Sequence, residues 1–144
     1  IMLQVAPAGP IYQAGTLSGN PLAVAAGLST LGILKKQNPY PDLGQKTSWL
    51  SGEFRAAAES AGIPLQVQAM AGMFGFFFSE TPVRNYQDAL NSDLEQFTRF
   101  FRRMLKQGIY LAPSAFESLF VSTAHTEEDL ERTAKAFRKA LEEN

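Results

Sequence analysis

Residues 73–79 read Met73-Phe74-Gly75-Phe76-Phe77-Phe78-Ser79, with four phenylalanines in seven positions. So short and nearly continuous an aromatic run suits a β-strand covered on both faces, weakened locally by Gly72 and Gly75. Residues 65–69 form a second strand candidate just upstream. Before them the periodicity predicts a helix over 42–61, with Leu43, Trp49, Leu50, Phe54 and Ala57 or Ala58 on its buried side. Gly62, followed by Ile63-Pro64, stops it. Asn38-Pro39-Tyr40-Pro41 separates that helix from an earlier one running from Pro21 to about Gln37. Asn20 can cap the earlier helix, Pro21 suits its first position, and Leu22, Ala25, Leu28, Leu31 and Ile33 or Leu34 supply an apolar face.

Downstream of the aromatic strand, Asn91 or Ser92 can cap a helix over 93–107, with Leu94, Phe97, Phe101 and Leu105 or Met104 recurring at helical spacing before Gly108. Residues 109–112 and 119–123 are two further short strands, separated by the loop Pro113-Ser114-Ala115-Phe116-Glu117. Thr126 with Asp129 three residues on forms a capping box for a last helix over 127–142, whose buried side holds Leu130, Thr133 or Ala134, Phe137 and Leu141. Glu142 and Glu143 oppose the dipole at its end. The order α, α, β, β, α, β, β, α has no internal repeat and implies an α/β (α+β) fold in which a small mixed or antiparallel sheet is packed with helices.

The chain has 144 residues, of which 45% are apolar and 19% charged, with 11 Gly and 8 Pro, a globular rather than disordered composition. Thirteen Lys and Arg against fourteen Asp and Glu give a net charge of −1, without the basic footprint of a nucleic-acid or anionic-membrane binder. The absence of Cys removes disulfides, thiol nucleophiles and thiolate metal sites, and a single His cannot build a histidine metal cluster. No apolar run approaches the roughly 18 residues of a membrane span. The opening Ile-Met-Leu-Gln-Val does not resemble a signal peptide. A start at Ile1 instead of Met suggests a processed, truncated or partial chain.

Few residues offer chemistry. His125, with Ser122 and Thr123 nearby, reads as a positioned histidine at a strand-to-helix turn rather than the base of an activated hydroxyl. The lysines at 35, 36, 46, 106, 135 and 139 fall on helices among polar neighbours, as solvated side chains do. Glu117 stands alone in its loop between Phe116 and Ser118-Leu119-Phe120, and is either a surface charge or a site residue. The loop 14–21, AGTLSGNP, offers Gly15 and Gly19 for close backbone approach and the Thr16 hydroxyl as a donor just before a helix. That arrangement suits either an anion or a tight structural turn. It matches neither the GxxxxGK[ST] nor the GxGxxG pattern.

Three blocks then resemble one family in order and spacing: APAGPIYQAGTLSGNPLA near the start, GMFGFFFS in the middle and GIYLAPSAFESLFVSTAHT near the end. The family is that of the class III, fold type I pyridoxal-phosphate enzymes, and Glu117 within APSAFE narrows the resemblance to its glutamate-1-semialdehyde 2,1-aminomutases. The likeness extends over essentially the whole chain and fits the C-terminal third of such an enzyme. Residues 1–38 would then be the cofactor-phosphate loop and long connecting helix of the large domain, and 39–144 the C-terminal small α/β domain.

The resemblance implies pyridoxal 5'-phosphate as cofactor, with Gly15 and Thr16 binding its phosphate in the neighbouring subunit of a homodimer. It implies Glu117 as a substrate-selecting residue, at a position where related aminotransferases often carry an arginine for a second substrate's carboxylate. The reaction implied is conversion of the small-molecule amino-aldehyde glutamate-1-semialdehyde to 5-aminolevulinate for tetrapyrrole synthesis, in a bacterial cytoplasm or a plastid. The family's Schiff-base lysine lies upstream of Ile1, so this chain by itself is expected to be inactive. The alternatives are another class III aminotransferase carrying Glu at this position, or a non-catalytic α/β binding or dimerisation module.

Overall fold

The aromatic run folds as a strand, β2 (Met73–Phe77), antiparallel to β1 (Gln66–Met70). In this computed structural model, which describes residues 1–142, the register sets Gln66 opposite Phe77, Gln68 opposite Gly75 and Met70 opposite Met73. The other edge of β2 pairs antiparallel with β3 (Leu119–Phe120), giving a three-stranded sheet in the order β1-β2-β3. The expected antiparallel sheet is present, with shorter strands. Residues 109–112 form no strand, although Ile109 and Leu111 are buried, and β3 covers only two of the five residues expected over 119–123.

Burial along β2 alternates. Phe74, Phe76 and, just beyond the strand, Phe78 are buried, whereas Met73 is exposed and Phe77 half-buried. The expectation of a strand covered on both faces is therefore corrected, because successive side chains of a strand point to opposite faces and only one face meets helices here.

Those helices are α2 (Tyr40–Ala61), α4 (Leu94–Lys106) and α5 (Glu127–Glu142), with a five-residue turn of helix, α3 (Tyr86–Leu90), that the sequence did not suggest. The Phe76 ring lies 5.9 Å from Phe54 of α2, 5.7 Å from Phe100 of α4 and 5.6 Å from Phe137 of α5. Phe54 and Phe137 stack at 3.7 Å. On α2, Leu50, Phe54, Ala57 and Ala58 are buried and Leu43 half-buried, as its spacing predicts. Trp49 is not: it is 43% exposed, and Thr47 and Ser51 lie in the interior instead. Positions 47, 50, 51, 54, 57 and 58 make one continuous stripe, and Trp49 lies about 140° of helical rotation from its centre.

The face of α4 is likewise rotated from expectation. Phe97, Phe100 and Met104 are buried, Phe101 is half-buried, and Leu94 and Leu105 are exposed. Its cap is Asp93, one residue beyond the Asn91 or Ser92 expected, and its side chain accepts from the Gln96 N–H at 2.7 Å. Helix α2 ends at Gly62 in the left-handed conformation, φ 66°, with the Ile63 N–H donating to the Ala58 carbonyl. Helix α5 begins with the predicted box. The Thr126 N–H donates to Asp129 Oδ2 at 2.9 Å, and the Asp129 N–H returns to Thr126 Oγ1 at 3.2 Å. Glu142 closes α5, and Glu143 lies outside the described residues.

Residues Pro39–Asn144 form one compact unit and Ile1–Asn38 another. The first unit holds α1 (Pro21–Gln37), begun as expected by Asn20, whose side chain accepts from the Leu22 and Ala23 N–H groups at 3.1 and 3.2 Å. The apolar residues expected to form one face of α1 are not buried. Leu22, Ala25, Leu28, Leu31 and Ile33 are exposed, and Leu34 is half-buried. Apolar residues run around most of this helix, so no single stripe distinguishes an inner from an outer side. No helix among the described residues is long and apolar enough to cross a membrane.

Two outcomes follow for stability. Phe76→Ala should lower unfolding free energy by about 3–5 kcal/mol, because it empties a site shared by four elements, with a clearly smaller loss for Phe77→Ala on the outer face. Urea unfolding followed by circular dichroism checks this, and equal losses would refute it. Hydrogen bonds from Thr126, with Arg132 and His125 nearby, hold the Asp129 carboxyl below its ordinary value. A lowered folded-state value means that the box stabilises above the ordinary carboxylate range and loses its contribution as pH falls through the depressed value. Asp129→Asn should therefore destabilise near pH 7, with the difference from wild type shrinking below about pH 4. Thermal unfolding across that range reads it out.

Candidate functional site

The loop before α1 is shaped by two overlapping turns. The Ser18 N–H donates to the Gly15 carbonyl at 2.9 Å and the Asn20 N–H to the Leu17 carbonyl at 3.0 Å. Gly19 has φ 74° and is required by the backbone itself, whereas a Cβ at Gly15 would meet the Ser18 hydroxyl and force that side chain to move. Gly15 and Thr16 are exposed, on the outside of the turn. The first free amides of α1 point at the Asn20 carboxamide, which already accepts two of them. An anion at this loop would thus be met by the Thr16 hydroxyl and the turn's own amides, not by the helix start suggested by the sequence. The donor set of a hydroxyl and backbone N–H groups fits a phosphate.

Glu117 lies in the second unit. Ser114 turns its loop: the Phe116 N–H donates to Ser114 Oγ and the Glu117 N–H to the Ser114 carbonyl, each at 3.2 Å. The Phe116 ring meets Tyr86 at a centroid distance of 5.9 Å. Glu117 is exposed in spite of its aromatic neighbours. The reason is geometric: Phe116 and Phe120 are themselves exposed, at 43% and 67%, and do not enclose it. Glu117 lines an open cleft of about 340 Å³ beside the outer face of the β1–β2 hairpin, opposite Gln68, Met70, Met73, Gly75 and Phe77.

Gln68 is the cleft residue that sequence reasoning missed. Its Nε2 donates to the Val83 carbonyl, as Gln66 Nε2 donates to the Ser79 carbonyl at 3.3 Å, so two glutamines from one face of β1 hold the segment 79–83. The alternation Gln66, Gln68, Met70 against Leu65, Val67, Ala69 was the available signal. Gly75 faces Gln68 across the hairpin, and a Cβ there would meet nothing within 4 Å, which keeps the cleft open.

His125 is placed as a turn clamp. Its Nδ1 accepts the Ser122 N–H at 2.9 Å and lies 3.2 Å from Ser122 Oγ, while its carbonyl accepts from Lys46 Nζ at 3.2 Å. The lone pair that a general base would need is shared with a backbone amide. Lys46 also pairs with Asp42 at 3.0 Å, and the other five lysines are exposed. Among the described residues no three His, Cys, Asp or Glu side chains are grouped to hold a metal ion.

No family model matches the chain. It is 51% identical over 141 residues to the glutamate-1-semialdehyde 2,1-aminomutase of Chlorobaculum tepidum, covering 98% of this chain and 33% of that protein. Solved structures resemble it in fold: a β-phenylalanine aminotransferase from Variovorax paradoxus superposes with a TM-score of 0.77 at 23% identity, over 96% of this chain and 32% of that one. A transaminase with PLP bound superposes with a TM-score of 0.74 at 23% identity, over 95% and 31% of the two chains. The chain spans about a third of the length of the curated relatives it matches. Its sequence is therefore similar to the glutamate-1-semialdehyde 2,1-aminomutases over about a third of their length, and its fold to part of the transaminase structures.

Proposed function

We propose that this chain is the C-terminal third of a pyridoxal-phosphate-dependent aminomutase that converts glutamate-1-semialdehyde to 5-aminolevulinate, the reaction named by the resemblance. The observation that carries the proposal is identity of 51% across 98% of the chain with an aminomutase, a level that four further aminomutases share at 49–53%. On this reading residues 1–38 belong to the large domain and 39–144 form the small one, and the enzyme is a cytoplasmic or plastid homodimer in which the loop serves the neighbouring subunit.

Gly15 and Thr16 hold the cofactor phosphate. Gly15 lets the turn close against Ser18, and Thr16 supplies a hydroxyl to a dianion. The bound cofactor supplies an electron sink for exchange of amino and carbonyl groups. Glu117 sets substrate choice by charge. A carboxylate at the cleft mouth disfavours a second dicarboxylate and leaves a substrate that exchanges groups within itself. The lysines of this chain take no part, being either exposed or engaged by Asp42 and the His125 carbonyl.

In the full-length protein, Thr16→Ala should weaken cofactor retention roughly ten- to hundredfold, since a hydrogen bond to a charged group contributes about 1.5–3 kcal/mol. Dissociation measured by loss of cofactor absorbance on dilution checks it. Unchanged dissociation with a shifted melting temperature would reduce Thr16 to a turn residue. Glu117 tests the reaction assignment. Glu117→Gln should alter mutase turnover modestly with little gain in transamination, whereas Glu117→Arg should impair the mutase and improve use of 2-oxoglutarate, because guanidinium pairs bidentately with a carboxylate. Identical partition between the two reactions in folded, cofactor-loaded wild type, Gln and Arg proteins would remove Glu117 from the site.

A further inference from the structure

The polar groups at the cleft beside the β1–β2 hairpin have a common sign. Glu117, when ionised, offers only acceptors. Gln68 has its nitrogen engaged by the Val83 carbonyl, so the end of the carboxamide left without a protein partner is Oε1, another acceptor. Ser118, the third polar residue of the lining, can donate or accept. Met70, Met73 and Phe77 supply an apolar wall along the same cleft, and Gly75 leaves the space in front of Gln68 unfilled. Among the described residues no cation lines it. Two acceptors, an uncompensated negative charge and an apolar wall are complementary to a short aliphatic primary ammonium: the charge faces Glu117, a second N–H reaches Gln68, and the methylenes lie on the methionines.

We propose that Gln68 is a specificity-determining residue that accepts a hydrogen bond from the substrate's protonated amine alongside Glu117. The assignment rests on the aminomutase reading and adds to it a residue and a recognised group. It explains why a glutamine occupies an exposed position opposite a glycine: its nitrogen is fixed by the segment 79–83, which holds the oxygen in one orientation before substrate arrives.

Because Gln68 also holds Val83, the test must separate acceptor from strap. Gln68→Leu removes both the acceptor and the donor, whereas Gln68→Glu keeps an acceptor and loses the donor to Val83. In the full-length, cofactor-loaded enzyme, the two variants should lose similar thermal stability. Gln68→Leu should raise KM for glutamate-1-semialdehyde roughly tenfold with kcat within about threefold, the size expected for one hydrogen bond to a charged group. Gln68→Glu, which keeps an acceptor and adds negative charge facing the ammonium, should leave KM at or below the wild-type value. If Leu and Glu raise KM equally, Gln68 acts only through Val83 and the assignment falls. It also falls if neither variant changes KM while Glu117→Arg changes the reaction partition, and in that case the aminomutase reading survives. If Glu117→Arg is silent as well, Glu117 leaves the site with Gln68 and the cleft has no part in substrate choice.

Discussion

The packing of the second unit depends on the ring of Phe76. It is the one β2 side chain placed within aromatic contact of α2, α4 and α5 together, and it is 3% exposed. Rings meeting edge to face at 5.6–5.9 Å satisfy their quadrupoles without stacking, while Phe54 and Phe137 stack directly at 3.7 Å and tie α2 to α5 above it. A single strand position therefore fixes where three helices sit on the sheet. The outer face of the same strand is thereby committed to the opposite side, because alternation leaves no other direction for Met73, Gly75 and Phe77.

Features set by neighbours in sequence were legible. Asn20 and Pro21 at the start of α1, Gly62 at the end of α2, and Thr126 with Asp129 at the start of α5 all work within four residues, so their chemistry is complete in a short window. What depended on distant partners was not. On α4 the pairs Phe100/Phe101 and Met104/Leu105 satisfy helical spacing in either phase, and only the location of Phe76 and Phe137 selects Phe100 and Met104. Trp49 was expected on the buried side with Leu50 and Phe54, yet the stripe those two share passes Thr47 and Ser51 instead. Those two hydroxyls are buried without a hydrogen-bond partner. They carry a desolvation cost that a sequence pattern tuned to apolar residues does not anticipate.

The candidate site was legible in a similarly uneven way. Glycines before a capped helix and a lone carboxylate among aromatics are local signals that single out Gly15, Thr16 and Glu117 as candidates, whereas their roles come only from the family resemblance. Their surroundings were not readable, since the occupation of the α1 amides by Asn20 and the exposure of Phe116 and Phe120 are matters of geometry. Gln68 gave almost no signal, because a glutamine on the outward face of a strand is ordinary until a hairpin register sets it opposite Gly75 and a remote carbonyl engages its nitrogen.

Helix α1 presents the sharpest tension between sequence and structure. Its interior residues are Leu, Ala, Val, Ile and Gly with few polar interruptions, a composition that in soluble proteins belongs to helices surrounded by other elements. Leu22, Leu28 and Leu31 are nevertheless 64–80% exposed. Leaving so much apolar surface in water is unfavourable in proportion to its area, and no polar face exists on which such a helix could rest against solvent. The capping by Asn20 explains where this helix begins but cannot compensate for that exposure, since one cap contributes only about 1 kcal/mol. A local signal strong enough to define the helix thus coexists with a surface that solvent does not stabilise. That combination supports reading the chain as part of a larger protein, as do relatives about three times its length.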